Sequence, residues 1–463
     1  MRGQGMWRLS NTQAILVLAV AAVGLGDIWR LPSLAINHGG GAFLIVYVIA
    51  LLALGAPVLM AELAFGKLAG ARFSPASRET VRALKLSRLW LVLIYTLPLA
   101  GVAVIALYGS MAGWSFGYVF RAASGATQNL DTDSARALFL DLAADPERSL
   151  VWHTLFWLCV GVASAQGWRM GILRASMWFG GLMVVLALSL ADTLPTLQRS
   201  DNGLDALFRV RWAELGIDGF WDALAQACFT LSVGLGIAYV VGRRLENTTH
   251  TARIAVGVVM LDLAFSLVIG TAVASMVGGD QVVSSGVQLV FVDLVVGLGH
   301  DRGAQVQFFC LLLLLSASSA VLLIEPFVQS IRERFRCSRV AAAGSMTLLA
   351  WLVGLLAIFS FGPWQDWEIY GRGAVDWLVY LGVNLLVPLN CLLIASFVGR
   401  ALPPGLVLAA SGSSLVAMGP WYIWLRFGAR LLLLLLLLHT SGIMDFVLEF
   451  FQPLDTDVYR NHG

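Results

Sequence analysis

The chain has little charge. Of its 463 residues only 13% are Asp, Glu, Lys or Arg, while 59% are hydrophobic, against roughly 25% and 45–50% in soluble domains. That balance excludes an ordinary water-soluble globule. Cysteine is also scarce: Cys159, Cys228, Cys310, Cys337 and Cys391 fall in apolar segments or a short basic loop without C-x-x-C spacing, which argues against a disulfide framework or a zinc site. The six histidines are scattered, so no histidine metal cluster is expected. There is no basic patch with interleaved aromatics, so no nucleic-acid partner is expected. H-E-x-x-H does not occur, and the letters G-x-S-x-G occur only as Gly113 to Gly117 inside an apolar span, not at the strand-to-helix turn that makes a nucleophile elbow, so an enzyme is not expected.

What the chain does have is long apolar runs. A membrane span needs about 20 such residues, and dividing the sequence at its polar and Gly- or Pro-rich breaks gives eleven, at about 13–36, 41–66, 89–122, 151–167, 170–191, 219–242, 252–278, 304–331, 340–362, 374–399 and 418–440. The expected fold is an all-α polytopic membrane protein whose partner is the lipid bilayer. The first run lacks the short apolar core and small-residue cleavage site of a signal peptide, and reads as a retained helix. Lys67, Arg72, Arg78, Arg82, Lys85 and Arg88 follow the second span, and Arg332, Arg334, Arg336 and Arg339 follow the eighth. By the positive-inside rule these loops are cytoplasmic, with the N-terminus inside and the C-terminus outside. Asp131, Asp133, Asp141, Asp145 and Glu147, and Asp455 and Asp457 in the tail, fall on the opposite side. A plasma membrane is expected, and the alanine- and arginine-rich loops suggest a bacterial inner membrane. The apolar run within 279–303 reads as helix lying on the protein, and "GIMDFVLEFF" near the end as an interfacial helix.

One short stretch breaks the pattern. "VAAVGLGDIWRLP", Val20 to Pro32, puts two glycines, an aspartate, an arginine and a proline inside the first span. Its Val-Gly-Leu-Gly recurs in the sixth span as "FTLSVGLGIAY". The first and sixth spans are corresponding members of two five-helix halves, and an odd number of spans per half inverts the second half relative to the first. The resulting division is a cytoplasmic N-terminus (1–12), a first inverted repeat (13–191), an external loop (192–218), a second repeat (219–400), and an extra helix with its tail (401–463). Broken backbone in hydrocarbon is tolerated only where it lines a cavity or is buried in protein. Gly24 and Gly26 lower the cost of unwinding and Pro32 removes a donor. Freed carbonyls can then coordinate a cation, and the half-helix N-terminus favours an anionic group. The pattern therefore points to a site for ions and a small polar solute near the bilayer midplane.

These residues resemble the neurotransmitter:sodium symporter family, in particular its bacterial amino-acid members with the leucine-transporter fold. The resemblance rests on "AVGLGDIWRLPSLAINHGGGAFLIVYVIALLALGAPVLMAELAFGK", on Tyr108 and Trp114, and on "FTLSVGLG", "SASSAVLLIEP" and "VDWLVYLGVNLLVPLNCLLIASFVG". It implies a sodium-coupled symporter of a small amino acid or related amine working by alternating access. Two sodium sites follow from it: a first formed by Ala22, Asp27, Thr230 and Asp262, and a second formed by the carbonyls of Val20, Val23 and Leu315 with the hydroxyls of Ser318 and Ser319. The implied substrate pocket is Ala22, Val23, Leu25, Gly26, Asp27, Val104, Tyr108, Phe229, Thr230, Ser232, Leu235 and Ser319, with Leu25 and Gly26 offering amides to a substrate carboxylate. Phe229 would lid it beneath an outer pair, Arg30 and Asp376; Trp7 and Glu333 match the inner gate, although the usual N-terminal arginine is displaced to Arg2 or Arg8, and Arg243 and Arg244 replace small or tyrosyl residues. Glu62 would brace the broken backbone of the sixth span.

The sequence departs from the family at the first sodium site, where Asp27 and Asp262 stand for two asparagines. Chloride-dependent relatives hold the anion among residues matching Tyr47, Gln226, Thr230, Asp262 and Ser266. Asp262 could supply that negative charge, making transport chloride-independent, and Asp27 could stand in for the substrate carboxylate. A zwitterionic substrate would then require a proton on one aspartate, since three like charges around one ion are costly in low dielectric. A divalent cation at the first site is a further reading. Gly24 speaks against an amine, because monoamine-selective members carry an aspartate there. Amino acid and decarboxylated amine both stay open, and the sequence specifies no oligomeric state. A channel, or a sensor built on a transporter fold, are the competing functions; the asymmetric pair of broken helices fits alternating access better than a channel filter.

Overall fold

The computed structural model describes residues 7–70, 82, 85, 87–193, 201–277, 282–412 and 415–444. Arg2, Arg72, Arg78, Asp455, Asp457 and most of the terminal amphipathic run lie outside the described residues. Each expected span has its helix. Among the described residues, eight helices are long and apolar enough to cross a membrane, or nine if Asn11–Ala22 and Gly26–Asn37, bent by 46°, are one span. The other two expected spans correspond to Pro146–Ala165, which carries His153, Thr154 and Ser164, and to Trp212–Thr230 with Ile237–Gly242, each too short or too polar to pass as a span alone. Two helices between Gly286 and Leu298 lie in the expected external loop, joined by a wide turn of helix and largely buried.

The chain is built around its first broken span. Asn11–Ala22 starts with a capping box, in which Ser10 accepts from the Gln13 amide and Gln13 answers back, satisfying two of the donors a helix start leaves open. It packs against Thr251–Val277, Trp168–Asp192 and Arg302–Phe335. Seven of its twelve residues are buried, which is why its apolar residues run all round instead of forming a stripe. The second half of the sixth span touches Gly41–Ala69 backbone to backbone: a Cβ on Gly66 would collide with the Tyr239 carbonyl and one on Gly242 with that of Leu63. Small residues permit such close approach between membrane helices. On the outer side Trp114 meets Phe139, Phe291 and Phe361 edge to face, at 5.3, 6.1 and 5.0 Å between ring centres, and so ties the external helices to the bundle.

Candidate functional site

The first break is closed by its own residues. Val23 leaves helical geometry at ψ 103°, and the chain restarts at Gly26–Trp29, turns again at Arg30 (φ −122°), and continues as Leu31–Asn37 with Pro32 in its first turn. Asp27 Oδ2 accepts the Gly24 amide at 2.9 Å, where an acid suits the start of a helix. Gly24 has no room for a side chain, because a Cβ there would lie 2.9 Å from the Tyr108 hydroxyl and 3.3 Å from Ser319 Oγ. Gly26 is equally confined, with the Phe229 ring 2.9 Å from a would-be Cβ.

The second break is held from outside. Ser232, Gly234 and Gly236 adopt positive φ of 52°, 76° and 84°, which glycine accommodates and serine rarely does. Glu62 accepts the Gly234 amide at 2.9 Å and the Tyr239 amide at 3.2 Å. Asn390 donates to the Gly234 carbonyl at 2.7 Å and to the Thr96 carbonyl at 3.0 Å. Ser232 Oγ donates to the Ala21 carbonyl at 3.1 Å, joining the two breaks.

Between them lie two buried acids. Asp27 and Asp262 are 1% and 0% exposed, and the Thr230 hydroxyl is 3.2 Å from Asp27 Oδ1 and 3.3 Å from Asp262 Oδ1. Ser266 Oγ donates to Asp27 Oδ1 at 2.8 Å. One hydroxyl carries one proton and can donate to only one of the acids at a time. The pair therefore needs a cation or a proton to compensate its charge in so dry a place. The Tyr47 hydroxyl and both polar atoms of Gln226 are buried beside this cluster without a hydrogen-bond partner among the described residues.

Of the second expected cation site, Ser318 Oγ donates to the Leu315 carbonyl at 3.0 Å and Ser319 Oγ to the Ala21 carbonyl at 3.4 Å. Val20, Ala22, Val23, Leu25, Val104, Tyr108, Phe229 and Leu235 are all buried.

The two mouths differ from expectation. Arg30 does not meet Asp376; its Nη2 lies 3.6 Å from Asp222, which also faces His38 Nε2 at 3.5 Å, while its guanidinium stands 6.0 Å above the Phe229 ring. Asp376 instead accepts the Gly373 amide at 3.2 Å as a helix cap. Asp222 precedes Phe229 by two helical turns, on the same face, a spacing that could have disclosed it. At the inner mouth Glu333 pairs with Arg243 at 3.0 Å, and Arg243 also donates to Gln329 Oε1 at 2.9 Å and the Gly70 carbonyl at 2.8 Å. Arg8 donates to the Leu245 carbonyl, and Leu9 exchanges backbone bonds with Arg244 and Glu246. Trp7 is half-buried against the core. Arg244 lies 4.5 Å over the Trp168 ring, and burial lowers its guanidinium to about 10. Glu325 is gripped by Arg339 at 2.6 Å and by the Trp168 indole.

Comparison with known proteins adds to this geometry. Residues 5–131 match the model of the Sodium:neurotransmitter symporter family. The chain is 26% identical to the uncharacterized sodium-dependent transporter YhdH of Bacillus subtilis (strain 168), over 93% of this chain and 97% of that one. It is 23% identical to sodium-dependent nutrient amino acid transporter 1 of Drosophila virilis, over 77% and 66% of the two chains. The crystal structure of MhsT in complex with L-phenylalanine superposes with a TM-score of 0.85 at 29% identity, over 95% of this chain and 100% of that one.

Proposed function

Taking as premise that the chain belongs to the sodium:neurotransmitter symporter family, we propose that this sodium-dependent membrane symporter carries a small zwitterionic amino acid, with two sodium ions and without chloride. The observation that carries the reading is the convergence of Asp27 and Asp262 on one hydroxyl, Thr230.

The substrate carboxylate binds at the Leu25 and Gly26 amides. Asp27 does not compete for them, because its oxygens are already engaged by Gly24, Ser266 and Thr230. Two relatives support an amino acid: MhsT is solved with L-phenylalanine, and the Drosophila protein is a nutrient amino acid transporter. The Tyr108 hydroxyl and Ser319 Oγ leave no room for an extra acid at Gly24. One sodium ion sits among Ala22, Asp27, Thr230 and Asp262. The other sits among Val20, Val23, Leu315, Ser318 and Ser319, where neutral oxygens suit a hard monovalent cation.

Asp262 supplies the negative charge that chloride would bring, flanked by Tyr47, Gln226 and Ser266. With the substrate carboxylate also near, one proton resides on the aspartate pair in the loaded state, since like charges in low dielectric cannot all ionise. Alternating access opens first at Arg30, Asp222 and Phe229, then at Arg243 and Glu333. The inverted repeats 13–191 and 219–400 move around the fixed site. The basic loops support a cytoplasmic N-terminus and an external C-terminus in a bacterial plasma membrane.

The test is uptake into proteoliposomes of matched amino acids and their decarboxylated amines, in sodium or potassium, with chloride or gluconate. Sodium-driven uptake of amino acids that is indifferent to chloride is the expected result. Uptake of amines alone would overturn the substrate assignment, and calcium-dependent uptake would put a divalent ion at the first site.

A further inference from the structure

A second recognition site lies on the outer wall of the bundle, away from both breaks. Pro146–Ala165 and Arg339–Phe359 pack together where Thr347 meets Gly161, and beside that contact lies a groove of about 480 Å³ lined by Trp157, Leu158, Gly344, Leu348 and Trp351. That volume falls in the range of about 300–1,000 Å³ typical of ligand sites. Leu158, Val162, Val340 and Leu348, along its rims, are 59%, 61%, 66% and 57% exposed. In a span such exposed apolar residues face lipid. The Trp351 indole donates to Thr154 Oγ1 at 2.9 Å, so the two groups satisfy each other within the wall.

Charge marks one end of the groove. Arg339 Nε donates to the Ser164 carbonyl at 2.8 Å, and a Cβ on Gly167 would stand 3.7 Å from the Arg339 side chain. This contact draws the turn after Ala165 against the turn before Val340. Each turn carries an exposed arginine, Arg169 and Arg336, and among the described residues neither is in an ion pair. The helix beginning at Arg339 adds its positive dipole end at the same place, capped by Ser338. An apolar slot running into the bilayer from a pair of uncompensated cations at its edge matches one class of molecule.

We propose that this groove binds an anionic phospholipid, one acyl chain lying over Gly344 between Leu158 and Leu348 and the phosphate resting on Arg169 and Arg336. Zwitterionic lipid has the chain but not the net charge, so the arginines set the selectivity, each contributing roughly fivefold at a membrane surface.

The full-length protein would be reconstituted in phosphatidylcholine vesicles with a small, equal fraction of brominated phosphatidylglycerol or brominated phosphatidylcholine, and tryptophan quenching measured. Quenching by the anionic lipid should exceed that by the zwitterionic one by about twenty-five-fold in apparent affinity, two arginines at roughly fivefold each. Trp157→Phe with Trp351→Phe should remove the excess signal, and an excess that persists would locate the site elsewhere and overturn the proposal. Arg169→Gln with Arg336→Asn should bring the two lipids to parity; asparagine tolerates the left-handed backbone at 336 (φ 51°). Gly344→Leu should block the anionic lipid by filling the slot, since a Cβ there meets nothing within 4 Å and the fold is left undisturbed. Equal quenching by both lipids, or an excess indifferent to the arginines, would mean ordinary solvation by bilayer. No quenching by either would mean that another protein surface, such as a second copy of the chain, covers the groove.

Discussion

The two breaks solve the same backbone problem in opposite ways. In the first span the loose amide of Gly24 is taken by Asp27, three residues on. In the sixth span the loose groups of Gly234 are taken by Glu62 from the second span and Asn390 from the tenth. A break that supplies its own acceptor keeps its backbone amide paired whatever its neighbours do. A break held by neighbours is fixed to them, because a buried amide left without its acceptor costs about 1–3 kcal/mol. The backbone of the first break is therefore self-supporting, and that of the sixth depends on its neighbours.

The largest effect should come from attacking the anchor. Glu62→Ala strips the Gly234 and Tyr239 amides together, and is expected to abolish uptake and lower thermal stability by more than any change at Asp27, while Glu62→Gln keeps part of both. If Asp27→Ala destabilised the protein as much as Glu62→Ala in a thermal-unfolding comparison, the contrast between the breaks would be lost. Next in size, Asp262→Asn removes the fixed negative charge but keeps the shape, so uptake should fall at least tenfold in gluconate and recover in chloride. A variant equally active in both media would contradict the charge role. Asp27→Asn should keep the Gly24 bond and the fold, yet alter sodium dependence; measured stability near wild type with changed ion titration is the expected combination. The smallest effect is at Ser232→Gly, where relief of a left-handed serine, about 1–2 kcal/mol, is offset by loss of its bond to the Ala21 carbonyl, about 1 kcal/mol. A shift of several degrees in melting temperature would show that one of the two terms dominates.

Legibility in the sequence followed the range of the interaction. The first break could be read directly, since Gly24, Gly26, Asp27 and Pro32 lie within one short stretch and act on one another locally. Glu62 was legible too, being an acid stranded in an apolar run, and such acids need a purpose. Asn390 was not, because a single amide in "VPLNCLL" looks like any tolerated polar residue until its partner, 156 residues away, is known. The inner mouth failed for the same reason: Arg243 finds Gln329 and Glu333 across 86 and 90 residues, a pairing that no periodicity encodes. The resemblance directed attention to Arg30 and Asp376, and the actual neighbour, Asp222, sits on the sixth span in place of the tenth.

The unequal mouths have a kinetic consequence. The outer contacts of Asp222 are 3.5–3.6 Å long and between partly exposed side chains, and contacts of that kind contribute little, about 0–1 kcal/mol. The inner ones are 2.6–3.0 Å long, with one side chain of each ion pair only 1% exposed, and parting them uncovers a charge with no water yet in place. The inner mouth is therefore the costlier of the two to open. Under the symport proposed above, inward leakage is restrained first by the cost of baring Arg243, whose side chain is only 1% exposed.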